Sequence, residues 1–334
     1  MPEPSTAAAP LELGAELDRR GVPRHPVLVV GPHSFPSAPP RTASALRAIL
    51  VVAVEDEAPS ADLLTAADVV IARDGDLPGA VAHPAPTVAA TEFAARAAAS
   101  PRAAVALAEL LRAELYADVR AGLIAESALY STLLASEEFG RWLAHRGPAA
   151  PPASPEPRLR IVRDGDLLRV TLDRAARRNA LDARLRDELL EALDLARWDP
   201  ALRVLIEAAG PSFSSGGELA EFGTAGDPAA SHLVRLQASV GAAIDALRDR
   251  VTVRVHGHSF GAGVELPAFA GRVIADREAR FSLPEVAMGL IPGAGGTTSV
   301  PRRIGRRRAL WLAVSGAPID AATAFDWGLV DELD

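Results

Sequence analysis

The sequence predicts an α/β protein built from two parts. Apolar runs such as VLVV and ILVVAV alternate with longer segments of helical periodicity, the order expected of sheets covered by helices. Five prolines fall between Pro148 and Pro157, where they exclude a helix and remove the N–H donors of a central strand. We therefore expect an α/β domain over residues 1–147 that ends in helices, a linker over 148–157 and a second α/β domain over 158–334.

The first half combines short strands with long helices. Its strands are predicted from apolar runs at 27–30, 49–54 and 69–72. Its helices are predicted from Ala- and Leu-rich segments at 88–99 and 102–115 and through much of 117–145. No catalytic constellation is evident here, and we interpret the acidic run Glu55–Glu57 as a solvated loop rather than a metal site.

The second half alternates strands and helices more regularly. Strands are predicted at 159–162, 167–172, 204–207, 251–255 and 273–275. Helices are predicted at 182–196, 231–247 and 262–270, with most of the last 40 residues helical.

Composition excludes several functional classes. The 334 residues carry 35 Lys and Arg against 43 Asp and Glu, a formal charge of −8, which disfavours broad binding to nucleic acid or anionic membranes. There is no Cys and no Lys, so thiolate, iron–sulfur, Schiff-base and Walker A chemistry are excluded. Without a signal peptide or an apolar run of 18 residues, we expect a cytoplasmic protein.

Three Gly-rich segments of the second half attract attention. They are FSSGGEL at 213–219, HGHSFGAGVEL at 256–266 and FSLPE at 281–285 with the following GLIPGAGGT at 289–297. Glycines in strand-to-helix turns are one explanation for each. None matches a P-loop or a dinucleotide-binding fingerprint. His256 and His258 lack the partners of a metal site.

Taken with Arg178-Asn179-Ala180-Leu181 before them and Gly328-Leu329-Val330 after them, these segments resemble the crotonase (enoyl-CoA hydratase/isomerase) superfamily over 158–334. The resemblance implies a ββα spiral core and an acyl-CoA substrate. It implies no cofactor beyond the CoA moiety of that substrate and no metal. It also implies a homo-oligomer based on trimers.

The resemblance further implies an oxyanion hole for the thioester, formed by the backbone N–H groups of Gly217 and Ala262. Such donors stabilise the negative oxygen that develops during the reaction, by several kcal/mol in other enzymes. The family usually has Gly at the position of Ala262, Asp at that of Glu218 and often Lys at that of Ala220. Alanine keeps the N–H, but its methyl group crowds the site.

Glu265 and Glu285 match the two acid–base glutamates of enoyl-CoA hydratases. Two carboxyls can hold one water, one taking its proton as it attacks the β carbon and the other protonating the α carbon. Because many relatives keep only one, the pair favours hydration of a 2-enoyl-CoA. The structural alternatives are a helix-surface residue for Glu265 and a first-turn acid favoured by the helix dipole for Glu285.

The resemblance places the CoA portion along Arg177, Arg178 and Ala180, with Glu218 and Leu219 beside the thioester. Arginine is suited to phosphate, and no lysine is available for it. A solvated basic loop is the alternative at 174–178. We interpret the arginines at 302–308 as a solvated helix face.

Family members continue past Gly-Leu-Val with helices that cover the acyl pocket, and residues 88–146 are faintly similar to that tail. We therefore hypothesise that residues 1–147 are a reduced crotonase-like unit whose helices close the pocket, in the same or a neighbouring chain. Two other functions stay open: isomerisation or other enolate chemistry on a specialised acyl-CoA, and a non-catalytic acyl-CoA-binding or scaffold subunit.

Overall fold

The computed structural model describes residues 13–34, 46–74, 76–149 and 156–334. Residues 150–155 of the predicted linker lie outside these ranges. The strands are β1 (Val27–Val30), β2 (Ile49–Val54), β3 (Val69–Ala72), β4 (Val81–Ala82), β5 (Leu159–Asp164), β6 (Leu167–Leu172), β7 (Arg203–Ala208), β8 (Val251–Val255), β9 (His258–Phe260), β10 (Arg272–Ala275), β11 (Arg280–Ser282), β12 (Ile319–Asp320) and β13 (Glu332–Leu333).

Helices occupy most of the rest of the described chain. They are α1 (Ala61–Ala66), α2 (Pro86–Ala99), α3 (Pro101–Arg112), α4 (Val119–Leu134), α5 (Glu137–Arg146), α6 (Ala183–Trp198), α7 (Pro228–Gln237), α8 (Val240–Ala246), α9 (Ala262–Glu265), α10 (Gly296–Ser315) and α11 (Ala321–Trp327). Short 3-10 turns include Leu219–Glu221 and Glu285–Met288.

The strands form three sheets. The first half holds a four-stranded parallel sheet in the order β1-β2-β3-β4. The second half holds a six-stranded sheet in the order β13-β10-β8-β7-β6-β5, parallel except for the β5–β6 hairpin. A smaller sheet, β12-β11-β9, lies beside it. The α/β class is as predicted, and the first half is a separate α/β region with its own parallel sheet.

Three predicted helices are interrupted, each at an identifiable residue. The segment 117–145 breaks at Ser136, whose hydroxyl accepts from the N–H of Phe139 and starts α5. The segment 231–247 breaks at Ser239, which caps α8 in the same way. Helix α9 gives way to a 3-10 turn at Pro267, since proline cannot continue the helical hydrogen bonds.

The arginines at the centre of α10 bind the first half, which corrects their interpretation as a solvated face. Arg307 Nε donates to the carbonyl of Ala67 at 3.3 Å, and Arg308 Nε donates to that of Ala80 at 3.0 Å. Arg306 lies 3.4 Å from Asp68, a buried carboxylate that also pairs with Arg112. These contacts fasten the parallel sheet of the first half to the core of the second.

Helices α4 and α5 lie against the second half of the same chain. Helix α4 runs along α7, and the hydroxyl of Ser131 donates to the carbonyl of Pro228 at 2.8 Å. On α5, Arg146 donates to the carbonyls of Leu219 and Phe222. The segment compared with the tail helices of the family therefore covers the core within one chain. Within the described residues, no helix is both long enough and apolar enough to span a membrane.

Candidate active site

Two glycine turns bring the predicted oxyanion donors to one place. Gly216 has φ +93° and Gly261 has φ +51°, conformations that favour glycine. A Cβ added to Gly261 would lie 3.4 Å from the Cα of Gly216, so the two turns touch. The next residues are Gly217 and Ala262, and neither N–H donates to an acceptor within the described part of the chain. Both donors are therefore available to a ligand oxygen.

Glu265 ends the short helix α9 and is 2% exposed, so it is no helix-surface residue. Its Oε2 accepts the N–H groups of Ala294 at 2.7 Å and Gly296 at 2.8 Å. Burial raises the pKa of Glu265 to about 7, although the two N–H donors pull it downward. This carboxyl therefore changes charge close to neutral pH.

Glu285 follows Pro284 at the start of a 3-10 turn and is also buried. Its Oε1 packs on Gly261, where an added Cβ would approach it to 2.5 Å. Its Oε2 is buried and accepts no hydrogen bond from the described residues. Burial and the nearby charge of Glu265 raise the pKa of Glu285 well above its usual value. Burial therefore favours the neutral acid form of Glu285.

A third glutamate belongs to this cluster, and sequence analysis gave it no role. Glu126 of α4 is 2% exposed and accepts the N–H groups of Gly295 at 2.7 Å and Thr297 at 2.8 Å. It thus caps α10 from the other half of the chain. Burial, followed by the charge of Glu265, raises the pKa of Glu126 to about 8. Its one sequence signal is a lone acid on the apolar stripe of a helix.

The predicted donors and carboxyls line a single cleft of about 910 Å³. Gly217, Ala262, Glu265 and Glu285 all contribute to its wall. The opposite wall comes from α7, the loop before it and α4, which contributes Tyr130 and Leu134. A separate apolar pocket of about 30 Å³ lies behind Ala262 and is too small for an acyl group.

The predicted CoA loop is held by a buried network of charges. Arg177 donates to Glu218 through Nη2 at 2.7 Å and Nε at 3.3 Å. Arg174 bridges Glu218 at 3.0 Å and Asp182 at 3.3 Å. Burial alone would raise the pKa of Glu218, but the hydrogen bond from Arg177 and the neighbouring positive charges bring it below its usual value. Arg177 is therefore already paired with a carboxylate.

The other predicted CoA-side residues differ in exposure. Arg178 is exposed with φ +50°, and its carbonyl accepts the N–H of Ser215 at 2.9 Å, beside the oxyanion donors. Ala180 is buried and its carbonyl accepts from Arg174 at 2.8 Å. Leu219 is 43% exposed and is not among the residues that line the cleft. Of the two arginines expected to meet phosphate, Arg178 is the one whose side chain is uncommitted within the described residues.

Comparison with known proteins agrees with this architecture. A family model described as enoyl-CoA hydratase/isomerase matches residues 163–334. The chain is 34% identical over 174 residues to the 2,3-dehydroadipyl-CoA hydratase of Escherichia coli K12, a match covering 52% of this chain and 68% of that protein. It is 34% identical over 187 residues to the carnitinyl-CoA dehydratase of Salmonella arizonae, covering 52% of this chain and 67% of that one.

A solved structure gives the same result. The crystal structure of an enoyl-CoA hydratase from Thermoplasma volcanium GSS1 is 30% identical and superposes with a TM-score of 0.50. The superposition covers 54% of this chain and 72% of that one. Between 28% and 33% of the length of each relative lies outside these alignments. The matched family model spans more than half of the chain, and the chain belongs to the enoyl-CoA hydratase/isomerase (crotonase) family.

Proposed function

We propose that this protein adds water to a 2-enoyl-CoA thioester. The observation that carries the proposal is the convergence on one cleft of two free backbone N–H groups and two buried carboxyls. Hydration needs both kinds of group, since the thioester oxygen gains negative charge while protons move at the neighbouring carbons.

The different surroundings of the two carboxyls assign their roles. Glu265 accepts two backbone N–H bonds, which stabilise its ionised form and suit it to act as the base. Glu285 has an oxygen without a partner among the described residues, and burial beside the charge of Glu265 raises its pKa well above the usual value, which suits it to act as the acid. Two carboxyls with pKa values pushed apart can therefore divide one proton cycle between them.

The atoms balance in a single addition. Glu265 takes a proton from water as the water oxygen bonds to the β carbon, and Glu285 gives its proton to the α carbon. The N–H groups of Gly217 and Ala262 hold the thioester oxygen while it carries the enolate charge. A proton then passes from Glu265 to Glu285 through the next water molecule, which restores the starting state.

The CoA portion would run along the loop at 174–180. Arg178 would meet a phosphate, while Arg177 would act through Glu218, which it holds beside the turn at Leu219. A trimer-based homo-oligomer stays a prediction, and sedimentation of the full chain would test it.

The test is the loss of the conjugated thioester absorbance when the full-length protein is mixed with crotonyl-CoA. We expect turnover by the wild type and a loss of about 10²- to 10⁴-fold in kcat for Glu285→Gln. Binding of saturated butyryl-CoA should be retained by the variant, because Gln preserves the shape of the side chain. Migration of the double bond without hydration would favour an isomerase. Binding without turnover of any enoyl-CoA would favour a non-catalytic subunit.

A further inference from the structure

Two arginines on the cleft wall have no role in the proposed hydration, Arg186 and Arg235, and Arg235 of α7 lies closer to the reacting groups in its contacts. Its guanidinium lies 4.8 Å from the ring centroid of Tyr130. That ring packs on Gly293, where an added Cβ would lie 2.4 Å from it. The next residue, Ala294, donates its N–H to Glu265. The ring of Tyr130 therefore lies between Arg235 and the loop at 293–294 that holds Glu265.

The guanidinium is positioned but not neutralised. Its Nε donates to the hydroxyl of Ser127 at 3.1 Å, and its Nη2 donates to the carbonyl of Ser127 at 3.2 Å and to Ser131. These acceptors carry no charge. Within the described ranges, no carboxylate lies within ion-pair distance of Arg235, and its Nη1 donates to no acceptor.

Each remaining charged side chain on the cleft wall has a partner. Asp182 pairs with Arg158 and Arg174, and Arg186 pairs with Asp187 at 2.7 Å. The other two carboxylates accept backbone N–H groups, Glu221 from α6 and Asp227 from α7.

Glu126 lies near Arg235 but is occupied. Both of its oxygens accept from the first turn of α10 and the residue before it. Arg235 is thus a half-buried positive charge whose counter-ion is missing from its surroundings in the described chain. A partly desolvated cation without a counter-ion is costly, and an anionic ligand group would relieve that cost.

The position of Arg235 identifies which part of a ligand it would meet. If the CoA portion leaves along the loop at 174–180, behind Gly217, the acyl group extends the other way, past Glu265 toward Tyr130 and Arg235. This step rests on the proposed function. We infer that the cleft selects acyl-CoA thioesters whose acyl chain ends in a carboxylate, held by Arg235.

Binding of saturated acyl-CoA esters tests this inference without requiring turnover. The probes are glutaryl-, adipoyl- and suberoyl-CoA, each compared by calorimetry with the monocarboxylic ester of the same carbon number, using the full chain. We expect the ω-carboxylate ester to bind about 10-fold more tightly at one or more lengths, the size of one charge-assisted hydrogen bond. Arg235→Gln should bring the two esters within about 2-fold.

Two control variants separate recognition from a structural role. Ser131→Ala weakens the contact of Arg235 with α4 but keeps the charge, so it should retain the selectivity. Arg186→Gln removes another cation of the same wall that already has a partner, and it should retain the ratio between the two esters. Thermal melting would show that each variant is folded.

The outcomes are distinct. Equal binding of both esters by the wild type at every length, or selectivity that survives in Arg235→Gln, would overturn the inference. No binding of any ester would overturn it together with the acyl-CoA assignment. Selective binding of the ω-carboxylate ester with no hydration of any enoyl-CoA would support the inference and contradict the proposed reaction.

Discussion

The two halves of the chain contribute to the cleft in different ways. The second half contributes groups that would touch the substrate, the N–H donors of Gly217 and Ala262 and the carboxyls of Glu265 and Glu285. The first half contributes α4, which forms a wall and places Glu126 on the loop that holds Glu265. The comparison separates the groups proposed to perform the chemistry from those that set their position and charge.

The largest effect is expected from crowding the second half of the site. A Cβ at Gly261 would lie 2.5 Å from Glu285 Oε1, and the backbone there has φ +51°. Gly261→Ala should therefore displace both Glu285 and the Ala262 donor and lower kcat/KM for crotonyl-CoA by at least about 10²-fold. Gly140→Ala, on the exposed side of α5 with open space around it, is the matched control and should keep wild-type activity. Comparable activity of the two variants would contradict this geometry.

The second-largest effect is expected from Glu126, the contribution of the first half of the chain to the site. Glu126→Gln keeps the size of the side chain but replaces one acceptor oxygen with an NH₂ group, so one N–H of α10 loses its partner. We expect a loss of about 1–3 kcal/mol in the free energy of unfolding and about a 10-fold lower kcat.

The pH profile distinguishes a positioning role of Glu126 from a merely structural one. The charge of Glu126 contributes to raising the pKa of Glu285. Its removal should move the basic limb of kcat/KM to lower pH, because Glu285 then releases its proton more easily. A lower kcat with an unchanged profile would limit Glu126 to packing.

The predictions for Gly261 and Glu126 concern features that differ in whether the sequence alone could predict them. The longer strands and the glycine turns follow from local patterns, because an apolar run or a tight turn constrains the residues at that position. The pair Glu265 and Glu285 is predicted from the family resemblance of the motifs around them. The role of Glu126 does not follow, since it depends on α4 meeting the N-terminus of α10 some 170 residues later in the chain.

The arginines of α10 and Arg177 also depend on long-range contacts that the sequence does not reveal. Sequence identifies them as cations but does not reveal their partners. The structure gives Arg307 and Arg308 carbonyls of the first half, and it gives Arg177 the carboxylate of Glu218. Long-range pairing decides whether a charge is structural or free for a ligand.

A smaller effect concerns stability and pH. The folded pKa of Glu265 is about 7, above the usual 4.5, so between pH 5 and 7 the folded state keeps a proton that the unfolded state releases. The free energy of unfolding should fall over this range by about 1.4 kcal/mol per pH unit from this group. The fall should diminish in Glu265→Gln but persist in Glu191→Gln, at an exposed position. Equal free energies of unfolding, measured by urea denaturation at pH 5, 6 and 7, would contradict the raised pKa of Glu265.

The smallest effect is expected at the CoA loop. Arg178→Gln removes an exposed cation without disturbing the network around Glu218, so KM for crotonyl-CoA should rise a few-fold, about 2- to 5-fold, at constant kcat. The same substitution at Arg177 should also lower thermal stability, because Glu218 is buried and loses a partner. If both variants change KM equally and stability not at all, the distinction between the two arginines is wrong.

The most direct measurement is the pH dependence of kcat/KM for hydration of crotonyl-CoA by the wild-type protein. The proposed division of roles predicts a bell-shaped profile. Its acidic limb should lie near pH 7, where Glu265 gains the charge of a base. Its basic limb should lie at higher pH, where Glu285 loses its proton. A profile that stays flat from pH 5 to 9, or activity that only declines above pH 5, would contradict the assignment of Glu265 as the base and Glu285 as the acid.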